Sequence, residues 1–434
     1  MKIPSLMLAK SIRSSDSWRL VGLWASIMPS WMIMAVEAPL VLSWLATRPM
    51  ELTSIAAFGV FHSMGLLLEA PVLMLLPTAT QLANGPKSAA AVHRHALVMI
   101  SVALLAATLT TAVPSLRQWI LAAGLGLSGD VLAICSVILP SLILWPAAIG
   151  YRRVLQGILL ANKQSRAIAH ASFFRFAGIV VTLMSGSVAG GLPALWAAAA
   201  LICGVCCETL YTAWSFWRVG FWRRGQEGED TPVSFPAFLR LFLPLSTSVM
   251  ASLALPGCIT AIIARSYDPV LSLAIFPVVH GFGFFFRAVG LAMQEVFIVG
   301  MKEGAQTRSA VDALHWVFVL ILVLLLGIIG LTPLARLIFE HLMHLDAPFA
   351  AQAATTFVYA IPYPVLTLAL SRERARRITT KTNFLIVPAT VLEVALSLAI
   401  MSALTFGAYL NAASAAMIGL GLGRFCALVF LAWI

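Results

Sequence analysis

Charge is scarce in this chain. Only 10% of its 434 residues are Asp, Glu, Lys or Arg, while 61% are hydrophobic. Soluble domains carry about 25% charged residues, so a water-soluble enzyme or nucleic-acid-binding domain is excluded. No G-x-x-x-x-G-K-[ST] loop is present, which argues against a self-powered ATPase and leaves open a separate energising subunit. Neither H-E-x-x-H nor G-x-S-x-G occurs, so nothing assembles a nucleophile with its base, and no cofactor is expected. Cysteine is sparse as well: six residues, at 135, 203, 206, 207, 258 and 426, all within apolar segments. That placement excludes a disulfide framework, and Cys203-x-x-Cys206-Cys207 is read as packing rather than as a redox or metal motif. Residues 1–16 lack the long apolar core and small-residue cleavage site of a secretory signal, so none is expected.

What the chain has instead is long apolar runs, repeated. A helix needs about 20 apolar residues to cross a bilayer core. The pattern predicts twelve such spans: 18–45, 55–82, 96–114, 131–159, 167–189, 192–219, 235–264, 269–299, 311–334, 350–370, 383–403 and 406–434. The expected fold class is an all-α polytopic membrane protein, two six-helix bundles related by a parallel internal repeat. The most polar connection lies at 223–232. It divides the chain into an N-terminal lobe at 1–222, a cytoplasmic linker at 223–234 and a C-terminal lobe at 235–434.

The net charge of +11 follows from topology. With the N-terminus cytoplasmic, 21 Lys and Arg residues, Arg152 and Arg153 among them, fall in loops or span ends on that side, against four on the other (Arg48, Arg117, Arg265 and Arg336). This asymmetry fits the rule that cytoplasmic loops hold the basic residues. It places both termini in the cytoplasm, with the protein in the cell (inner or plasma) membrane.

One pattern occurs twice. Phe58-x-Val60-x-His62-x-x-Gly65-x-x-x-Glu69-Ala70 recurs 218 positions later as Phe276-x-Val278-x-His280-x-x-Gly283-x-x-x-Arg287-Ala288. Pro146 with Pro364 and Lys163 with Lys381 keep the same spacing. Six spans per half is an even number, so both halves enter from the same side and the repeat is parallel.

The repeated residues are also the candidate substrate or cavity residues. His62, Gly65 and Glu69 share one face of the second helix, and His280, Gly283 and Arg287 one face of the eighth. A charge at membrane depth costs about 2.5–3.5 kcal/mol on insertion scales, so it faces a cavity or a partner. Glu69 and Arg287 therefore line a central cleft or form a structural ion pair. His62 and His280 carry protons or hold helix–helix hydrogen bonds. Glu37, two residues before Pro39 in the first helix, joins Glu69 and Glu295 as a candidate for the coupling ion; for Glu37 the alternative is a structural acid. Pro256 is the near counterpart of Pro39 and has no acid beside it. Glu393 and Arg424 are read as a structural pair between the last two helices. The run Arg372, Arg374, Arg376 and Arg377 is read as a topology anchor in the headgroup layer, or else as a gate.

Two six-helix halves, with prolines in the first and seventh helices, resemble the multidrug/oligosaccharidyl-lipid/polysaccharide (MOP) exporter superfamily, whose fold is MATE-like. Within it, Pro277-Val-Val-His280, Ile361-Pro-Tyr-Pro-Val365, Val387-Pro-Ala-Thr-Val-Leu392 and Gln156-Gly-Ile-Leu-Leu160 are similar to the progressive ankylosis (ANK) family. The resemblance implies a secondary exporter working by alternating access, lined mainly by helices 1, 2, 7 and 8. It also implies anionic substrates such as pyrophosphate, nucleotide or citrate. Arg287 suits an anion, whereas Glu37 and Glu69 suit a cation or a coupling proton. The expectation is thus a monomeric carrier in the lipid bilayer for a small molecule, with an anion favoured and a proton or sodium ion coupled; no nucleic acid is involved. The alternatives are a proton- or sodium-coupled cation and drug antiporter, a lipid-linked precursor flippase, or a membrane enzyme or non-transporting scaffold.

Overall fold

The computed structural model describes residues 15–83, 85–161, 166–219, 230–302, 305–380, 382–407 and 410–433. The regular structure among them is helical: α1 (Ser15–Ala46), α2 (Glu51–Leu73), α3 (Leu75–Leu82), α4 (Pro86–Ala112), α5 (Gly129–Ile138), α6 (Leu144–Ala161), α7 (Arg166–Ala189) and α8 (Pro193–Val219). Then come α9 (Phe235–Ile263), α10 (Pro269–Lys302), α11 (Ala305–Leu331), α12 (Ala347–Ala360), α13 (Pro362–Thr379), α14 (Ile386–Ser402) and α15 (Ala412–Trp433). Among the described residues, eleven segments are long and apolar enough to cross a membrane. The chain is an all-α polytopic membrane protein. Sequence predicted twelve spans; the difference is α1, whose described apolar stretch, Trp31–Ala46, is shorter than the others.

Proline sets many of the boundaries. Helices α4, α8, α10 and α13 start on Pro86, Pro193, Pro269 and Pro362, where a missing N–H costs nothing. The fourth segment is interrupted at Leu139–Ile143 by a tighter turn containing Pro140. Helix α1 runs through Pro39, and α9 through Pro256, without a break in the helix.

The chain forms two compact units. One is Arg48–Arg265; the other combines Met1–Thr47 with Ser266–Ile434. This differs from the sequential division into 1–222 and 235–434, because the first helix of each half groups with the other half. The packing explains it. Within the second unit, α1 lies along α10, with Met28 and Ala35 buried against Ala288 and Ala292, flanked by Trp24, Trp31 and Phe284. Within the first, α9 lies along α2: Ser246 donates to the Pro71 carbonyl at 2.9 Å, and the Thr260 hydroxyl lies 3.2 Å from that of Ser63.

Each unit is built on matching turns. After α4 a π-turn spans Trp119–Gly124; after α11 another spans Ile338–Leu342. Leu125 N donates to Ile120 O, and Met343 N to Ile338 O; Leu127 N donates to Leu121 O, and Leu345 N to Phe339 O. Each bond recurs in the second unit at the spacing of the sequence repeat. Gly126 takes a positive φ of 79° and His344, at the equivalent place, takes φ 56°. That left-handed conformation is free for glycine and rare for a histidine.

The described end of the linker is pinned to α4. Asp230 accepts from the backbone N–H groups of Lys87 and, at 3.0 Å, Ser88, which caps the helix start. Desolvation works against ionising Asp230. The bonds from Ser88 and Lys87, with the Lys87 charge, outweigh it and hold the carboxyl below its ordinary value. His95 Nε2 donates to the Val233 carbonyl at 2.9 Å, and its ring packs on Phe235 and Phe238. Residues 223–229 lie outside the described residues.

Candidate functional site

Each unit contains its own buried polar centre. In the unit Arg48–Arg265 the centre begins on α2. Glu69 is buried, and one carboxylate oxygen accepts a hydrogen bond from the Trp145 indole N–H of α6 at 2.7 Å. Gly65, one turn earlier, lies against the same elements: an added Cβ would be in ordinary contact with the indole at 3.6 Å and tight only against the Leu142 side chain, at 3.3 Å. His62 is half-buried on the same face and stacks on Phe58, with ring centroids 6.2 Å apart. Behind Glu69, the buried Glu208 of α8 accepts from both Arg152 of α6 and Arg175 of α7, the latter at 3.3 Å. Arg153 is close enough for its charge to act on Glu69, and its Nε has no hydrogen-bond partner among the described residues.

In the other unit the centre is built on the corresponding helices, with the charge inverted at two positions of the repeat, Glu69 against Arg287 and Arg175 against Glu393. Arg287 of α10 holds the place in the repeat that Glu69 holds in α2. It lies over the ring of Tyr363, with its guanidinium carbon 4.4 Å from the centroid; Tyr363 is the counterpart of Trp145 at the same offset. A second cation lies over that ring: Arg424 of α15, at 4.2 Å. Arg424 pairs with Glu393 of α14 at 2.6 Å and donates to the Thr367 hydroxyl at 2.6 Å. Glu393, the counterpart of Arg175, also takes Arg374 of α13 at 3.8 Å. Arg287 donates from one terminal nitrogen to Nε2 of His280 at 3.0 Å, while its own Nε has no hydrogen-bond partner among the described residues. His280 stacks on Phe276 at 5.3 Å, as His62 does on Phe58.

Two close approaches shape this second centre. At Gly290 an added Cβ would come within 2.8 Å of the Leu368 backbone nitrogen, so α10 and α13 touch there and bring Arg287 to Tyr363. At Gly283, between His280 and Arg287 on one face of α10, an added Cβ would meet nothing within 4 Å. The face that carries the histidine and the arginine therefore borders open space.

The electrostatic balance is uneven. Arg287, Arg374 and Arg424 gather around one carboxylate, Glu393. An arginine is never deprotonated under ordinary conditions, so among the described residues these three cations exceed the one carboxylate that pairs with them. In the other unit Arg152, Arg153 and Arg175 face Glu69 and Glu208.

The remaining sequence candidates fall as follows. Glu37 is buried on α1, next to Ala38 and Pro39, which pack against Gly281 of α10. Glu295 is exposed on α10. The basic run of α13 is tied down throughout: Arg372 to Asp312 and Glu373, Arg376 to Glu373, and Arg376 and Arg377 to the Leu431 carbonyl. These bonds lock α13 to α11 and α15. Arg152, counted from sequence as a span-end topology residue, is instead a buried ion-pair partner. Lys163, Lys381, Lys2, Lys10, Arg13, Arg223 and Arg224 lie outside the described residues. Sequence reasoning gave no site role to Trp145, Tyr363 and Arg153, and it read Arg374 as part of the basic anchor or gate. The first two were findable, because 145 and 363 keep the spacing of the repeat. Among the described residues, no group of three or more His, Cys, Asp or Glu side chains is placed to hold a metal ion.

No family model and no curated protein matches this sequence. Solved structures do match. A multidrug resistance MATE family transporter of the MOP superfamily, in an inward-facing conformation, aligns with a TM-score of 0.75 at 15% identity, covering 95% of this chain and 96% of that one. The lipid II flippase MurJ, in an inward closed conformation, aligns with a TM-score of 0.70 at 13% identity over 94% of this chain and 87% of its own. The fold is that of the MATE and MOP-superfamily transporters. A MOP superfamily transporter from Pyrococcus furiosus, described as having a binding pocket of reverse polarity that suggests a different function, aligns with a TM-score of 0.59 at 14% identity, covering 100% of this chain and 98% of that one. The MATE-like fold is thus present over nearly the whole chain at identities too low to carry a shared substrate.

Proposed function

We propose that this protein is a secondary active transporter that exposes its site alternately to the two sides of the membrane and carries small anions, phosphate-bearing or carboxylate. The observation that carries the reading is Arg287: a half-buried cation with no acid partner among the described residues, facing open space at Gly283. A guanidinium left without a carboxylate at membrane depth is costly, and its fork of donors matches a carboxylate or phosphate. Arg374 and Arg424 add to the positive field. The likeness to the ANK family points to the same class of substrate. The carrier fold, together with a chain that assembles no nucleophile, favours transport over catalysis.

On this reading the chain has twelve spans in two parallel-related sets, with both termini cytoplasmic, and works as a monomer in the cell membrane. The matched turn bonds of the two units support the repeat. Glu69, with His62 beside it, belongs to the polar centre of the unit Arg48–Arg265; Glu37, buried on α1, and Glu295, exposed on α10, are the further acids available to a coupling ion.

The test is efflux from reconstituted vesicles loaded with pyrophosphate or citrate. Wild type is expected to release the anion and Arg287→Ala to lose release while folding normally. Unchanged flux in Arg287→Ala removes the residue from the site. Release of cationic dyes that depends on Glu37 or Glu69, with no anion flux, replaces the reading by a cation antiporter; movement of a lipid-linked anion alone replaces it by a flippase.

A further inference from the structure

Arginine only donates hydrogen bonds. The 3.0 Å contact between an Arg287 terminal nitrogen and Nε2 of His280 therefore requires Nε2 to be the acceptor. With Nε2 bare, the imidazole is neutral. The contact cannot persist once Nε2 binds a proton, because the bond then has two donors and no acceptor, and two cations sit at hydrogen-bond distance. Attraction becomes repulsion at the residue placed to meet the substrate.

Resting on the anion reading above, we propose that His280 is the proton-coupling residue of the Arg287 site: the anion binds between the arginine and a protonated His280, so one proton enters with each anion. The proton comes from the aqueous phase that the site faces and adds to Nε2; the anion supplies the acceptor oxygens that both cations then require. In the empty site Arg287 donates to the neutral ring. In the loaded site Arg287 and His280 both donate to the anion. The space to accommodate it lies between them, at Gly283.

The surroundings support this assignment. Phe276 stacks on the imidazole at 5.3 Å and fixes its plane. Phe284 and Tyr363 hold the Arg287 guanidinium by its faces, at 5.4 Å and 4.4 Å, leaving its edge to bond. Among the described residues, the other titratable or charged groups near the centre of this unit are Glu37 on α1, Tyr363 and Arg374 on α13, Arg424 on α15 and Glu393 on α14. Arg424 and Arg374 are occupied with Glu393. Glu37 is a second acid on the element packed against α10, and replacing it controls for its share of the proton uptake.

Linkage makes the coupling reciprocal: protonation tightens anion binding by the same factor by which the anion promotes protonation. The experiment measures binding of radiolabelled sulfate to the purified full-length protein from about pH 5.5 to about pH 8, the range in which histidine titrates. Sulfate keeps its charge across that range, so any pH dependence belongs to the protein. Wild type is expected to bind at least about fivefold more tightly at the acidic end. His280→Gln is expected to bind more weakly with a flat profile, and Glu37→Gln to keep the slope. In wild type a pH-indicator dye should register about one proton taken up per sulfate bound, a readout independent of whether any variant folds.

A flat wild-type profile with no proton uptake overturns the coupling while leaving Arg287 as an anion site. So does a slope that survives in His280→Gln; a slope lost in Glu37→Gln instead assigns the proton to Glu37. Binding that persists in Arg287→Ala, or a wild type that binds neither sulfate nor pyrophosphate, overturns the anion reading and the coupling with it.

Discussion

The guanidinium of Arg287 lies 4.4 Å from the centre of the Tyr363 ring, and at the matching place in the other unit Glu69 takes a 2.7 Å hydrogen bond from Trp145. The same two helix positions meet in both units, with an acid on an indole edge in one and a base on a phenol face in the other. The aromatic partner suits the charge in each case: the indole N–H donates to a carboxylate, and the negative face of a ring attracts a cation. Tyr363→Phe keeps the face and is expected to hold anion affinity near wild type. Tyr363→Leu removes it, and a cation–π contact contributes about 0.5–2 kcal/mol, so sulfate affinity should fall by about two- to thirtyfold. Equal loss in both variants would mean that the phenol hydroxyl, not the ring face, holds Arg287.

The pair Glu393–Arg424 at 2.6 Å is a different kind of feature, a buried ion pair that joins α14 to α15. Breaking a buried pair strands one charge and typically costs about 3–5 kcal/mol, whereas replacing both partners with apolar residues is often neutral. Glu393→Ala should therefore lower the thermal unfolding midpoint strongly, leaving Arg424 and Arg374 without their carboxylate. The double variant Glu393→Leu with Arg424→Leu should recover much of the loss. If the single variant unfolds like wild type, the pair is not structural and Glu393 belongs among the substrate residues.

The helical architecture was legible because apolar length alone dictates it: twelve runs in sequence became eleven spans and α1. The Phe-x-Val-x-His-x-x-Gly repeat lies on α2 and α10, where Glu69 meets Trp145 and Arg287 meets Tyr363. What sequence could not show was which acid meets which base. Arg152 looked like a span-end anchor because it sits beside Arg153 near polar sequence, yet α8 passes close enough for Glu208 to reach it. The exchange of α1 and α9 between the sequential halves was hidden for a similar reason. A small-and-aromatic stripe such as Met28, Ala35 and Trp31 says that a helix packs closely, not against which partner. Trp145 and Tyr363 were overlooked because their chemistry differs; only the spacing joins them.

Gly283 offers a test of the open space that needs no loss of charge. Its added Cβ meets nothing, so Gly283→Val is expected to fold with a near-native unfolding midpoint while obstructing the His280–Arg287 face, cutting anion flux severely. Gly290 is the contrast. There a Cβ would come 2.8 Å from the Leu368 backbone, which cannot move aside as a flexible side chain would. Gly290→Val should destabilise the protein by forcing α10 from α13, with flux lost in proportion to folded protein. If Gly283→Val transports normally, the substrate does not pass along that face.

Asp230 links the end of the central connection to the start of α4. Its carboxyl is held below its ordinary value by the Ser88 and Lys87 bonds. A group with a lowered folded-state pKa supports the fold when ionised, so its contribution is complete above the usual carboxylate range, near pH 4, and fades as pH falls through the lowered value. At neutral pH the cap should be intact. Asp230→Asn loses the charge but keeps an acceptor, and Asp230→Ala loses both. Hydrogen exchange at the Lys87 and Ser88 amides should therefore rise in the order wild type, Asn, Ala. Loss of a helix cap is worth about 1 kcal/mol, which corresponds to about a fivefold faster exchange in Asp230→Ala. Because Asp230 is only partly buried, solvent screening reduces the share owed to its charge, and the Asn variant should lie closer to wild type. Acidifying wild type below the lowered pKa should bring its exchange, corrected for intrinsic rate, toward that of Asp230→Asn. Identical protection in all three proteins at neutral pH would mean that α4 starts without help from the linker, and that the His95–Val233 bond alone holds the connection in place.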